Sequence, residues 1–192
     1  MAGLLSQAEA ALASRQYDAA LGQIDGALKL DPANARATSL RAEAAQRRDF
    51  ARRRFVPGRT VVDSEKTRKD KASGGLVGFD ADEKAPDFSG KIEFEMSPSG
   101  PVEANDPWTL KVFVVNQGKK PIKVQGVTVG ASVNGSGSPA PVATSVKEIA
   151  PQQRVQVGET SGSWKEGTTA WVAQAVLTAP KNETLTNTLT WK

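Results

Sequence analysis

Residues 16–32, QYDAALGQIDGALKLDP, decide how the first part of this chain folds. Ala20, Leu21, Ile24, Ala27 and Leu28 recur at helical spacing and mark one apolar side. Asp18 sits near the N-terminus of that helix, where a carboxylate opposes the positive end of the dipole. Pro32 has no N–H to donate and restricts Asp31, so the helix stops at the Asp-Pro pair. Working upstream, Leu4, Leu5, Ala8, Ala11 and Leu12 form the apolar face of a preceding helix, and Ser14 to Gln16 is the polar break between the two. Working downstream, Ala35 opens a third helix with Leu40, Ala42 and Ala45 available to its inner side. A helical region over residues 1–55 is the expectation.

Ala8, Tyr17, Ala20, Ala27 and Asp31-Pro32 stand at the relative spacing of the tetratricopeptide signature, and the region resembles that family over about a quarter of the chain. The resemblance implies small residues that let two helices approach closely and an aromatic that packs between units. It also implies a surface that stacks on a protein partner, on upstream repeats of a larger tetratricopeptide-containing protein, or on a second copy, since such repeats are stable only in stacks. Departures from the pattern are visible. Gly22 and Gly26 fall inside the helix, each weakening it by roughly 1 kcal/mol relative to Ala. Leu4 stands where the family usually has an aromatic, and Pro57-Gly58 ends the pattern before a fourth helix. A plain three-helix unit without a binding role is the competing expectation.

Charge is uneven. Residues 36–71 carry 12 basic and 5 acidic side chains, a local +7 within a chain whose formal net charge is +4. Arg47, Arg48, Arg52, Arg53 and Arg54 cluster where the third helix ends. Three readings fit: a solvated helix end complementing the dipole, an electrostatic contact with an acidic protein, or a contact with nucleic acid or anionic lipid. Nucleic acid is the least supported, because only Phe50 and Phe55 are there to stack and no recognition motif is present.

The chain has no histidine and no cysteine. That excludes a Ser-His-Asp triad, a cysteine nucleophile, disulfides and thiolate or imidazole metal sites. No enzyme activity, cofactor or metal is expected. No run approaches the 18 apolar residues of a membrane-spanning helix. The first thirty residues lack the basic start and unbroken apolar core of a signal peptide, so a cytoplasmic location is the expectation.

Residues 56–90 read as a charged flexible linker, since Ser64 to Gly75 has no apolar periodicity. Leu76 to Phe79 is an apolar island within it. Asp80, Asp82, Glu83 and Asp87 lack the spacing of a calcium loop and read as solvated.

Residues 91–192 carry recurrent short strands with turn residues between them, the pattern of an antiparallel β-sandwich. Ile92, Phe94 and Met96 alternate with Lys91, Glu93 and Glu95. Trp108, Leu110, Val112 and Val114 alternate along the next strand, which ends at Asn116-Gln117-Gly118. Val127, Val129, Ala131 and Val133 form another strand, with Gly126 as a candidate bulge and Asn134 to Gly137 as a hairpin turn. Trp171, Ala173, Ala175 and Leu177 face one way. In the last strand Leu185, Leu189 and Trp191 oppose a row of Thr184, Thr186, Thr188 and Thr190, read as a solvent face. Asp106 to Gly118, DPWTLKVFVVNQG, resembles bacterial immunoglobulin-like or fibronectin-type sandwiches, which implies architecture and no ligand.

The fold class expected is therefore an α region, a linker and an all-β immunoglobulin-like unit. The function expected is non-catalytic protein–protein interaction or scaffolding, with Tyr17, Arg47, Arg48, Arg52, Arg53 and Arg54 as contact residues. Self-association through the helices is a further expectation. The alternative is a carbohydrate- or cell-surface-binding sandwich, for which Trp164, between Ser163 and Lys165, is the expected exposed contact.

Overall fold

A computed structural model describes residues 2–64, 68, 88–99 and 105–192. The chain divides into two compact units, one ending at Arg53 and the next beginning at Arg54. The acidic run 80–87 and the Leu76–Phe79 island lie outside the described residues.

The first unit is three helices: α1 (Ala2–Ala13), α2 (Tyr17–Leu30) and α3 (Ala35–Arg52). Alanines set the spacing between them, because Ala8, Ala20, Ala27, Ala37 and Ala44 are all 0% exposed. Around them pack Leu5, Leu12, Tyr17, Leu21 and Ile24. An Ala at each close approach lets backbones come near without leaving unfilled space, the use the sequence pattern implies for small residues. Asn34 caps α3, its Oδ1 accepting from the Ala37 backbone N–H at 2.9 Å. Gly26 lies against α1, where a Cβ would sit 3.7 Å from Leu4 Cδ1, whereas Gly22 faces open space.

The second unit begins earlier than the sequence indicates. Residues expected as linker form two short strands, β1 (Phe55–Pro57) and β2 (Val61–Asp63). Both pair antiparallel with the last strand, and Arg54 exchanges backbone hydrogen bonds with Lys192. The reason is packing: Phe55 and Val62 alternate inward with neighbours on the sheet, an alternation too short to register as a strand in the sequence.

The remaining strands are β3 (Gly90–Ser97), β4 (Pro107–Asn116), β5 (Ile122–Lys123), β6 (Gly126–Val133), β7 (Ala140–Val142), β8 (Glu148–Ile149), β9 (Arg154–Ser163), β10 (Trp171–Ala179) and β11 (Glu183–Trp191). One sheet runs β1-β11-β10-β6-β7, with β2 on the same edge of β11 as β1; a second runs β3-β4-β9, and β5 pairs with β8. The two larger sheets face each other as a sandwich, their inner sides filled by Ile92, Leu110, Val112, Val114, Val127, Val129, Ala173, Ala175, Leu177, Leu185 and Leu189. The bulge is not at Gly126, which simply starts β6 in register with Thr178. It lies in β9, where the register slips so that Val112 faces Gly158 and Phe113 faces Gln156, with Val157 as the extra residue. Val157 and Gly158 are consecutively buried there.

Two asparagines fix the loops. Asn116 is 0% exposed and satisfies its whole amide: Nδ2 donates to the carbonyls of Lys120 (2.8 Å) and Ile149 (2.9 Å), and Oδ1 accepts from Gly118 N–H (2.9 Å). Asn134, at a left-handed φ of 50°, accepts from the backbone of Thr169 and Ala170 and donates to Gly167. Both sit in turns the sequence marks with Asn-x-Gly or Asn-Gly.

Candidate functional site

The helical unit holds an open concavity of about 380 Å³ between the start of α2 and the last turns of α3, lined by Arg15, Gln16, Tyr17, Asp18, Ala19, Arg48, Ala51 and Arg52. Helix geometry places these side chains together. Arg48 and Arg52 are one turn apart on the same side of α3. Asp18 is in the first turn of α2. Arg15 occupies the α1–α2 turn at a left-handed φ of 59°, a backbone state that closes helix α1.

Within this notch Arg52 Nη2 donates to both carboxylate oxygens of Asp18 at 3.1 Å. Arg48 approaches the same carboxylate at 3.9 Å and also pairs with Asp49 at 3.1 Å. With Arg15 also lining the notch and Asp49 counted, three arginines and two carboxylates leave a local charge of +1. The pairs are exposed, so each contributes between zero and about 1 kcal/mol to stability, and Asp18 holds the arginines only loosely. Elsewhere on α3, Arg36 reaches Glu9 and Arg41 reaches Asp25, tying α3 to both preceding helices. Arg47 pairs with Glu43 one turn earlier, at 2.8 Å.

The residues expected to make contacts are therefore divided. Arg48 and Arg52 line the notch. Tyr17 lines it too, but is 8% exposed and belongs to the helical core, so it is not spare for partner contacts as its position suggests. Arg47 lies outside the lining, Arg53 follows the last residue of α3, and Arg54 belongs to the β unit.

Trp164 is a correction. It is 1% exposed, with ring centroids 5.1 Å from Trp191, 5.8 Å from Trp171 and 6.0 Å from Phe55. Its backbone N–H donates to Asp106 and its carbonyl accepts from Asn105, so the β4–β9 pairing runs past Ser163. Trp164 shares strand parity with Gly162, the residue opposite Trp108. That parity was the available signal, hidden because Ser161-Gly162-Ser163 reads as a loop. With Trp108 and Trp171 packed edge to face at 5.6 Å, the tryptophans form one aromatic core rather than a sugar platform. The carbohydrate reading that rested on Trp164 fails.

On the outer side of the β3-β4-β9 sheet, Arg154 joins Glu93 (3.0 Å) and Glu95, and its guanidinium lies 3.6 Å above the Phe113 ring centre. Lys91 adds a second cation to Glu93 at 3.0 Å. The Arg154 hydrogen bond, then that from Lys91, holds the Glu93 carboxyl below its ordinary range. Glu93 and Arg154 form an exposed ion-pair lattice, which suits a solvated face.

Among the described residues no helix is long and apolar enough to cross a membrane, and no three His, Cys, Asp or Glu side chains converge on a point that could hold a metal. No family model matches the chain, so the tetratricopeptide resemblance stands on residue spacing alone. A search of curated proteins likewise finds no match. Among solved structures, the chain is similar to CsgH of R. palustris, at 14% identity and TM-score 0.34, over 52% of this chain and 90% of that one. It is also similar to a Niemann-Pick type C2 protein from the Japanese carpenter ant, at 13% identity and TM-score 0.34, over 60% of this chain and 97% of that one. Likeness of this degree carries no conclusion about activity or ligand.

Proposed function

We propose that this chain is a non-catalytic protein-interaction module whose helical unit takes an acidic segment of a protein partner at the Arg15–Arg48–Arg52 notch. The observation that carries the reading is the notch itself: Arg52 and Arg48 approach the exposed Asp18 carboxylate in an open concavity that Arg15 also lines. A partner carboxylate can replace Asp18 as the acceptor of the Arg52 Nη2 donor, and arginine's planar fork lets it gain a second parallel hydrogen bond. Ala19 and Ala51, which also line the concavity, suit apolar side chains flanking such an acid. The resemblance to stacked helical repeats points the same way, and the absence of histidine and cysteine from the sequence leaves few groups for catalysis. Nucleic acid is a poorer fit, because the only aromatic lining the notch, Tyr17, is buried in the helical core.

The test is fluorescence anisotropy of the full chain with a labelled Asp/Glu peptide, using a Gly/Ser peptide of equal length as the comparison. The acidic peptide should bind at low ionic strength and weaken by about 0.3 M salt, where exposed charges are screened. Arg48→Gln with Arg52→Gln should weaken it by roughly tenfold or more, about 1.4 kcal/mol. Equal binding of the two peptides, or an unchanged double variant of normal Tm, would remove the basis for the proposal.

A further inference from the structure

The outer face of the β1/β2-β11-β10-β6 sheet is unlike that of the β3-β4-β9 sheet. Register places Val56, Thr190, Val172 and Ser132 in one cross-strand row. A second row is Val61, Thr186, Val176, Thr128 and Pro141. Between them lie Thr188 and Gln174, and beyond the second row lie Asp63, Thr184 and Thr178. In a chain that is 24% charged, these positions hold one charged side chain, Asp63, at a corner, where Arg68 pairs with it at 2.9 Å. Three of the four exposed large hydrophobics found among the described residues, Val56 (44%), Val61 (62%) and Val172 (37%), are on this face. The opposite sheet shows how this chain builds a solvated face: Lys91, Glu93, Glu95, Lys111 and Arg154 all point outward there.

We propose that this uncharged face is a homodimer surface, against which a second copy of the chain stacks its own equivalent face. Two physical points select a second copy over another occupant. A two-fold interface joins a patch to itself, so the patch must not repel itself. The cations lie at its margins: Arg54 and Lys192 flank the first row at one end and Arg68 pairs with Asp63 at the other, so the strand positions between them carry no charge to oppose a copy's. Threonine and valine are also stiff, short and alternate in rows, which allows two twisted sheets to pack about 10 Å apart without large rearrangement. Strands β1, β2, β6, β7, β10 and β11 hold 3, 3, 8, 3, 9 and 9 residues, and at about 4.8 Å by about 3.4 Å per residue they give roughly 570 Å² per copy. A stable dimer typically buries about 800 Å² per partner, so the pair should be reversible and concentration-dependent. The inference uses none of the notch residues and stands or falls apart from the proposed function.

Because the chain has no cysteine, one thiol can report the contact. The full chain should sediment as a monomer–dimer equilibrium between about 10 µM and about 1 mM, the range expected of a small interface. Val172→Cys should be trapped as a covalent dimer by a flexible bis-maleimide long enough to span the interface, and Lys111→Cys on the opposite sheet should not. Val172→Lys with Thr188→Lys should leave a folded monomer, with folding checked by thermal unfolding. A chain monomeric up to about 1 mM overturns the inference at that interface size. So does equal trapping of the two thiol variants, or a folded double-lysine variant that still dimerises; the last would place the contact on the helices or another surface. Should the double-lysine protein not fold, the thiol pair alone decides.

Discussion

Replacing Trp164 by alanine is the sharpest test of how the β unit is built. A tryptophan buries on the order of 150–250 Å² on folding, and at about 25 cal/mol per Å² that is roughly 4–6 kcal/mol as an upper bound. Alanine retains a small part of it, but the vacated space is walled by Trp171, Trp191 and Phe55, large rings that cannot collapse inward far. Aromatic-to-alanine losses of about 3–5 kcal/mol are therefore expected, against a total stability of about 5–15 kcal/mol for a unit of this size. Urea unfolding followed by circular dichroism at constant slope measures it, with Tm falling by roughly 10–20 °C. Trp164→Phe should recover more than half of the loss. A Trp164→Ala protein within about 1 kcal/mol of the parent would mean the ring stands in water, and the aromatic core described above would be wrong.

Two glycines should respond in opposite directions. Gly22→Ala meets nothing within 4 Å and should stabilise the helical unit by about 0.5–1 kcal/mol in thermal unfolding. Gly162→Ala would put a Cβ 2.6 Å from Trp108 Cζ2, and should cost about 1–3 kcal/mol by the same measurement. Asn116→Ala strips hydrogen bonds from the Lys120 and Ile149 carbonyls and the Gly118 N–H, so a loss of about 2–4 kcal/mol in urea unfolding is expected, with Asn116→Asp unable to restore the two donated bonds. Glu93 has its pKa depressed in the folded chain, so its contribution is present above the ordinary value near 4.5 and is lost as pH falls through the lower folded value. Arg154→Gln should flatten that part of the acid-unfolding curve, and an unchanged pH profile would show that the ion pair is not formed in solution.

The helical hairpin was legible because both signals it needs are local: apolar spacing within each helix and the Asp31-Pro32 stop. The long β strands were legible for the same reason, and Trp108, Trp171 and Trp191 fell on the faces their alternation indicated. What escaped was whatever depended on a partner far along the chain. Phe55 to Asp63 is too short and too broken by Pro57-Gly58 to announce strands. It becomes two strands because β11, more than 120 residues later, offers a complete hydrogen-bonding edge. A charged neighbourhood downstream made the whole segment look like linker, but burial of the first few side chains outweighs composition when a sheet edge is available.

The same distinction governs the functional surfaces. A run of arginines in a sequence announces positive charge without saying which side chains converge. Arg47 and Arg48 are adjacent in sequence, yet one pairs back along α3 and the other faces Asp18 across the hairpin. The threonine row of β11 reads, strand by strand, as an ordinary wet face. Only register sets Val56, Val61, Val172 and Val176 beside it and shows that no lysine or glutamate interrupts the rows. Charge on a β surface protects a chain from its own copies, and here one sheet has that protection while the other lacks it. Selection for solubility alone would act on both outer faces alike. The asymmetry therefore calls for a cause that acts on one face only, and contact with another surface is such a cause.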